Sequence, residues 1–177
     1  AVGLDALRSN STASNNTAVG SQAGYANTTG ELDAFGANTL DANTTGNYNA
    51  AFGRTALTNN TTGTSNSGFG RDALSANTTG ANNTGVGAFT LTSNTTASNN
   101  TAVGYQAGYS NTTGQYNTAI GDRPLRTNTT GNSNSAVGHG SLYYNTTGSQ
   151  NVAFGYESLN KNTTASNNTA VGYQSSY

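Results

Sequence analysis

The sequence repeats itself every 17 residues along its whole length. The string TASNNTAVG occurs at 12–20, 96–104 and 164–172, at separations of 84 and 68 residues. Since 68 is four periods and 84 is one residue short of five, the period is 17 with one deletion. A short period that covers a whole chain predicts a solenoid, in which each repeat forms one coil.

The unit is x-x-N-T-A-V-G-x-x-A-L-x-x-N-T-T-G, and its positions are numbered 1 to 17 below. We interpret residues 1–177 as a single continuous array with no linker. Because both ends fall inside a unit, we expect a piece of a longer array or a subunit whose terminal coils stack on neighbours. The array comprises a partial unit 1–13, the units 14–30, 31–46, 47–63, 64–80, 81–97, 98–114, 115–131, 132–148 and 149–165, and a partial unit 166–177.

The composition excludes a large apolar core, since only 23 of the 177 residues are Val, Ile, Leu or Phe, whereas 28 are Asn and 31 are Thr. Disordered chains usually pair low hydrophobicity with high net charge, but here the net charge is −1. No cluster of Lys and Arg favours nucleic-acid binding, and no apolar run reaches the roughly 18 residues of a membrane-spanning helix. We therefore predict neither nucleic-acid binding nor membrane insertion in this segment.

The local pattern favours strands over helices. Gly and β-branched residues interrupt every unit, and no helical period survives. Two short strands per unit, around N-T-A-V-G and around A-L-x-x, fit between Gly and Asn turns. The sequence therefore predicts an all-β fold, a parallel β-solenoid with 17-residue coils and two strands per coil, about 50 Å long at a strand spacing of about 4.8 Å.

Two neighbouring positions of the unit have fixed character. Position 7 is always Gly, which indicates a positive φ or a tight contact: Gly3, Gly20, Gly36, Gly53, Gly70, Gly87, Gly104, Gly121, Gly138, Gly155 and Gly172. Position 6 is always large and apolar, so we predict that it supplies the main core side chains: Val19, Phe35, Phe52, Phe69, Val86, Val103, Ile120, Val137, Phe154 and Val171.

Position 14 is Asn in every copy: Asn10, Asn27, Asn43, Asn60, Asn77, Asn94, Asn111, Asn128, Asn145 and Asn162. Asn stabilises turns, and stacked Asn side chains form hydrogen-bonded ladders. Each of these residues also begins an N-x-Ser/Thr glycosylation sequon. We favour turns and ladders, with glycosylation as the alternative. A second Asn column at position 3 suggests a second such turn.

The N-T-A-V-G element, with a small residue three further on, resembles the YadA-like head repeats of trimeric autotransporter adhesins. The string NNTAVGYQAGYSNTTG at 99–114 is similar to repeat arrays of phage tail-fibre and bacterial surface proteins. The resemblance covers all units. It implies a β-roll, assembly of three chains, and a place on a cell or virion surface.

The residues that could carry chemistry are few and scattered. His139 is the only histidine, and it lies at a variable position with Ser141 near it in sequence. Asp5 and Asp72 share position 9, but four coils separate them by about 19 Å, too far for a catalytic carboxylate pair. The Cys-free chain also lacks the signature of calcium-binding β-roll repeats. We predict no catalytic residues, no cofactor and no metal, and hence no enzyme.

Tyrosines concentrate in the second half of the chain. Amphipathic rings on a polar rod are candidates for contact with sugars or a partner, although they could equally cover thin spots in the core. The candidates for surface contact are Tyr105, Tyr109, Tyr143, Tyr144, Tyr156 and Tyr173.

Together these observations predict a structural or adhesive segment of an extracellular or virion-surface fibre, which acts through rigid repetition and multivalent contact. The expected partners are further copies of the chain, as a trimer or stacked end to end, and cell-surface glycans. The alternatives are an ice-binding β-solenoid, whose Thr arrays would order water, and a heavily glycosylated filament of stacked subunits.

Overall fold

The computed structural model describes residues 1–176 as a parallel β-solenoid, which confirms the predicted fold. One ten-stranded sheet follows the chain order, and no helix in the described residues is long and apolar enough to cross a membrane. The strands are β1 (Thr17–Val19), β2 (Leu32–Phe35), β3 (Asn49–Phe52), β4 (Ser67–Phe69), β5 (Thr84–Val86), β6 (Thr101–Val103), β7 (Thr118–Ile120), β8 (Ser135–Val137), β9 (Val152–Phe154) and β10 (Thr169–Val171).

The register of the sheet aligns equivalent unit positions in columns. Thr84 pairs with Thr101, one period later, and the same offset of 17 holds along the other pairs. The exception is the pair β1–β2, where Thr17 lies opposite Asp33 at an offset of 16. The one-residue deletion therefore lies outside the strands, and the register of the sheet continues past it.

Only one of the two predicted strands per coil is present in the described residues. We call unit positions 8 to 13 the second arm of the coil. Its positions 9 and 11 have positive φ in every coil, as at Asp72 (57°) and Leu74 (54°), which is incompatible with a strand. The arm instead consists of turns, in which Ala73 N–H donates to Gly70 O at 3.3 Å and Asn77 N–H donates to Leu74 O at 3.0 Å. Bonds between coils persist here, since Leu74 N–H donates to Thr90 O at 2.9 Å.

The predicted core position is wrong, because the side chains of position 6 lie on the outer face. Successive side chains of a strand point to opposite faces, and here the alanines of position 5 point inward with 0% to 6% exposure. The interior opposite them is narrow. A Cβ added to Gly68, at position 5, would lie 3.4 Å from the side chain of Leu57 and from Ala73 O. Only a methyl group fits there. The residues to which this correction applies are Val19, Phe35, Phe52, Phe69, Val86, Val103, Ile120, Val137, Phe154 and Val171.

The observed core combines small apolar side chains with asparagine. Leucines of position 11 and alanines of positions 5 and 10 form its apolar part. Asn77 of position 14 donates Nδ2 hydrogens to Asn60 Oδ1 at 2.8 Å, one coil earlier, and to Gly80 O at 3.0 Å. Asn66 of position 3 donates to the same Gly80 carbonyl at 2.8 Å. Within residues 1–176, no buried side-chain nitrogen or oxygen lacks a partner, so the polar core avoids the cost of unpaired burial.

The glycines of position 7 satisfy two constraints at once. Their φ angles lie between +116° and +137°, a region that L side chains rarely adopt. A Cβ added to Gly70 would also lie 2.6 Å from the carbonyl carbon and oxygen of Gly87 in the next coil. Glycine is therefore required both by the turn and by the stacking distance between coils.

Candidate functional surfaces

The position-6 side chains form an apolar ridge along the outer face of the sheet. The ridge consists of Val2, Val19, Phe35, Phe52, Phe69, Val86, Val103, Ile120, Val137, Phe154 and Val171. Phe52 stacks between Phe35 and Phe69, with ring centroids 4.5 Å and 4.9 Å apart. Eight of the eleven members are exposed, from 37% at Phe52 to 69% at Val171, whereas the other three are partly buried: Phe35, Val103 and Val137. A continuous apolar strip of this length is typical of an interaction surface.

A second regular column is polar. The threonines of position 16 are exposed in all ten copies: Thr12, Thr29, Thr45, Thr62, Thr79, Thr96, Thr113, Thr130, Thr147 and Thr164. The preceding threonines from Thr28 to Thr146 are partly buried and bond to the backbone, as where Thr78 Oγ1 donates to Thr95 O at 3.0 Å. The position-16 column is thus the regular hydroxyl array that this corner presents to solvent.

The asparagines of position 14 face inward. Asn27, Asn43, Asn60, Asn77, Asn94, Asn111, Asn128 and Asn145 are at most 2% exposed, whereas Asn10 and Asn162 near the ends are partly exposed. Both Nδ2 hydrogens of Asn77 are engaged, as described above. A glycan on such a nitrogen would have to break these bonds and enter the core. The geometry therefore favours the ladder over glycosylation at these residues.

The predicted contact tyrosines gather on the second arm, interleaved with cations. Tyr105, Tyr156 and Tyr173 occupy position 8, Tyr109 and Tyr143 occupy position 12, and Tyr144 occupies position 13.

These tyrosines form stacks along the rod. The Arg126 guanidinium lies 5.5 Å from the Tyr109 ring and 5.6 Å from the Tyr143 ring. Tyr156 stacks between His139 and Tyr173, at 5.0 Å and 5.2 Å. The carboxylate of Glu157, then burial, then Tyr173 raise the pKa of the Tyr156 phenol. The arm is therefore a rim of aromatic and charged groups.

The alternative interpretation is that tyrosines cover thin spots in the core, such as the coils that lack a leucine at position 11. Beside Gly24, an added Cβ would lie 2.9 Å from Leu7 Cδ2 and 3.3 Å from Leu32 Cδ1, so leucines of the two adjacent coils line the space of the missing side chain. Beside Gly108, a small cavity of about 10 Å³ remains, lined in part by Leu91, Ala119 and Leu125.

Gly140 opens a cleft in the aromatic rim, which we call the Gly140 notch. It occupies position 9 between Arg123 and Glu157 of the adjacent coils, so one side chain is missing from the column. The cleft has a volume of about 260 Å³, and Asn160 Nδ2 donates to Gly140 O at 2.8 Å. Its lining consists of Arg123, His139, Gly140, Tyr143, Tyr144, Glu157, Asn160 and Lys161.

Charged groups beside the notch are partly paired. Asp122 accepts from His139 Nδ1 at 3.0 Å and lies 3.9 Å from Arg123 Nε. Glu157 Oε2 accepts from Gln174 Nε2 at 2.9 Å. Sequence reasoning missed this cleft. The available signal was a glycine at position 9, where every other copy carries a side chain.

A second cleft, of about 200 Å³, marks the deletion in unit 31–46. Glu31 and Asp33 line it together with Asn15 and Tyr48. Leu32 stands at position 3 here, and its N–H donates to Asn16 Oδ1 at 2.7 Å. The column of position-3 asparagines is interrupted at this coil.

The residues considered for catalysis are not brought together. Ser141 is buried and donates to Gly138 O at 3.1 Å, whereas His139 is exposed and pairs with Asp122. Among residues 1–176, no group of three His, Cys, Asp or Glu side chains is arranged to hold a metal ion. Comparison with protein-family models, with curated proteins and with solved structures gives no match.

Proposed function

We propose that this protein is a structural segment of an extracellular or virion-surface fibre, a rigid rod that associates with further copies through its apolar ridge and presents repeated contact sites. The observation that carries this proposal is the ridge itself. It runs along the outer face of the sheet from Val2 to Val171. In a single chain its phenylalanine and valine side chains stay in contact with water, whereas a partner on this face would bury them.

Rigidity follows from the contacts between coils. Each coil bonds to the next through the sheet, through the second arm and through Asn side chains, as at Val86–Val103, Leu74–Thr90 and Asn77–Asn60. Because a solenoid coil contacts only its neighbours, the chain adds about 4.8 Å of length with every unit. A rod of this kind suits a shaft or a spacer, and equal surface sites on successive coils suit multivalent contact.

Self-association is the part of the proposal that the ridge supports most directly. Burial of apolar area is the main favourable term in association, and the ridge offers such area in one line along a parallel sheet. A second copy carries the same line with the same coil spacing. Val86, Val103 and Ile120 can therefore meet equivalent residues in register along the whole contact.

Sedimentation equilibrium tests this proposal. We expect the wild-type protein to be oligomeric, and the triple variant Val86→Thr, Val103→Thr, Ile120→Thr to associate at least about tenfold more weakly. The control replaces three exposed threonines on another face, Thr62, Thr79 and Thr96, by serine and should associate like the wild type. A monomeric wild type, or a ridge variant that associates as tightly as the control, would overturn the proposal.

Ice binding is a second candidate, favoured by the exposed threonine column of position 16. Its hydroxyls recur once per coil, at about 4.8 Å, along the described rod. Thermal hysteresis and inhibition of ice recrystallisation test this candidate. Activity that is lost in the variant Thr79→Lys, Thr96→Lys but retained in the ridge variant would favour ice binding over the fibre.

A further inference from the structure

We propose that the Gly140 notch binds one carboxylated sugar residue of the uronic acid type, held by its carboxylate and by one face of its ring. This inference rests on the proposed function, since it names the ligand class that one contact site of such a fibre would take. It is argued from the shape, charge and aromatic lining of the notch.

The shape of the notch limits the ligand to a single ring. The flanking side chains of column 9, Arg123 and Glu157, belong to coils two steps apart, or about 10 Å along the rod. The missing side chain between them leaves about 260 Å³, below the 300–1,000 Å³ that is typical of pockets for drug-sized ligands. The floor is held by the bond from Asn160 Nδ2 to Gly140 O.

The charges of the lining favour an anion. Arg123 and Lys161 line the notch together with one carboxylate, Glu157. The neighbouring Asp122 carboxylate accepts a hydrogen bond from His139 Nδ1 at 3.0 Å. A guanidinium matches the two oxygens of a carboxylate in a bidentate arrangement, and Arg123 lies 3.9 Å from Asp122, longer than a direct hydrogen bond. We therefore assign the ligand carboxylate to Arg123.

The remaining lining suits a ring with hydroxyl groups. Tyr143 and Tyr144 meet edge to face, with centroids 4.7 Å apart and an interplanar angle of 63°, and present aromatic surface beside the cation. A sugar ring has an apolar face that can pack on such surface, while Glu157 can accept hydrogen bonds from its hydroxyl groups. Neither group is needed to bind a simple inorganic anion.

The deletion cleft provides a contrast within the same molecule. Its volume is similar, about 200 Å³, but its charged lining consists of Glu31 and Asp33. Two carboxylates without a cation in the lining repel an anionic ligand. A carboxylated sugar should therefore distinguish the two clefts.

An NMR titration of the ¹⁵N-labelled protein tests the inference, with D-galacturonate, D-galactose and acetate as probes. We expect galacturonate to shift the amide signals of Gly140, Tyr143 and Tyr144 but not those of Glu31 and Asp33. Galactose, which has a hydroxymethyl group in place of the carboxylate, should bind at least about tenfold more weakly. Equal binding of galactose, equal binding of acetate at the same amides, or no localised shifts would each overturn the inference.

Variants drawn from the repeat itself keep the test independent of folding. Gln occupies position 9 in three other coils with positive φ, so the backbone at Gly140 accepts this residue. The Cβ of Gly140→Gln would lie 3.3 Å from Asn160 Nδ2 and from Glu157 Cγ, so these two side chains must shift slightly as the notch is filled. We expect Gly140→Gln and Arg123→Gln each to weaken galacturonate binding at least about tenfold. Asn38→Gln, at the same unit position in a distant coil, is the control and should bind like the wild type.

The same variants separate this inference from the proposed function. Gly140→Gln leaves the ridge intact, so we expect its sedimentation to match that of the wild type. Unchanged galacturonate binding in Gly140→Gln would overturn the notch alone. A protein that binds galacturonate but stays monomeric would overturn the self-association and leave the notch standing.

Discussion

The ring of Phe52 stacks on the ring of Phe35 at a centroid distance of 4.5 Å and an interplanar angle of 7°, on the outer face of the sheet. The residue before Phe52, Ala51, is fully buried, whereas Phe52 is 37% exposed. In this strand the small side chain therefore faces the core and the large one faces outward. The inverted order is the basis of the apolar ridge.

Changing the side-chain size at Ala51 and at Phe52 tests whether the small residue faces the core and the large one faces outward. Ala51→Leu forces a large side chain into a space that holds a methyl group, and overpacking of this kind costs about 1–3 kcal/mol or more. Phe52→Ala removes a partly exposed ring and should cost less than the about 3–5 kcal/mol of a buried Phe→Ala exchange. Urea unfolding gives both values, with each substitution made in the variant Val86→Thr, Val103→Thr, Ile120→Thr, in which association is weakened. A larger loss for Phe52→Ala than for Ala51→Leu would contradict the inverted order.

The Asn ladder predicts that replacing a buried asparagine of position 14 destabilises the protein much more than replacing an exposed asparagine of position 13. Asn77→Ala leaves Asn60 Oδ1 without its donor and removes one of the two donors to Gly80 O, and a buried group left unpaired costs about 1–3 kcal/mol. The control is Asn59→Ala, an exposed position 13 where other coils carry alanine, with an expected change within about 0.5 kcal/mol. Chemical denaturation measures both. Similar losses in the two variants would show that the ladder is not a buried stabilising element.

Replacement by alanine should change the stability of the protein in opposite directions at Gly70 and at Gly68. Gly70→Ala combines a φ of +135° with a Cβ 2.6 Å from Gly87 O, so we expect a loss of more than about 3 kcal/mol or failure to fold. Gly68→Ala places a methyl group where most coils have alanine, at 3.4 Å from its neighbours, and should stabilise by about 0.4–1 kcal/mol. Melting temperatures give the signs. Destabilisation by Gly68→Ala would indicate a tighter interior than described.

Asp41 predicts a pH dependence of stability. Burial raises the pKa of its carboxyl above the usual 3.8, so the folded state favours the protonated form. The associated stability is present below pH 3.8 and is lost as the pH rises through the higher folded-state pKa. We therefore expect Asp41→Asn to melt at a higher temperature than the wild type at neutral pH, with the difference vanishing below pH 3.8. Asp33→Asn, in the same coil but exposed, should give a smaller difference at neutral pH, and an equal or larger one would count against the burial of Asp41.

The sequence predicted the features that depend on stacking identical coils. A residue that is invariant in type, such as the glycine of Gly70 or the asparagine of Asn77, meets copies of itself one coil away, so the period alone determines its neighbours. The solenoid, the parallel register and the Asn ladder follow from this property.

Features that depend on the direction of a side chain were not predictable in the same way. Hydrophobicity alone suggested that Phe52 faces inward, but the narrow interior accepts Ala51 instead. The predicted second strand is absent because Leu74 and its equivalents adopt positive φ. Positive φ is uncommon for residues other than glycine, so leucine at this position did not indicate it. The Gly140 notch depends on a missing side chain, and only the assembled column reveals that absence as a cleft.

Cryo-electron microscopy of the assembled protein tests the central claim most directly, that the solenoid turns its apolar ridge outward to meet another copy. The account predicts rods with a repeat of about 4.8 Å along the axis, grouped so that Phe35, Phe52 and Phe69 lie between chains. Isolated single rods, or assemblies in which the ridge faces solvent and another surface forms the contact, would contradict it.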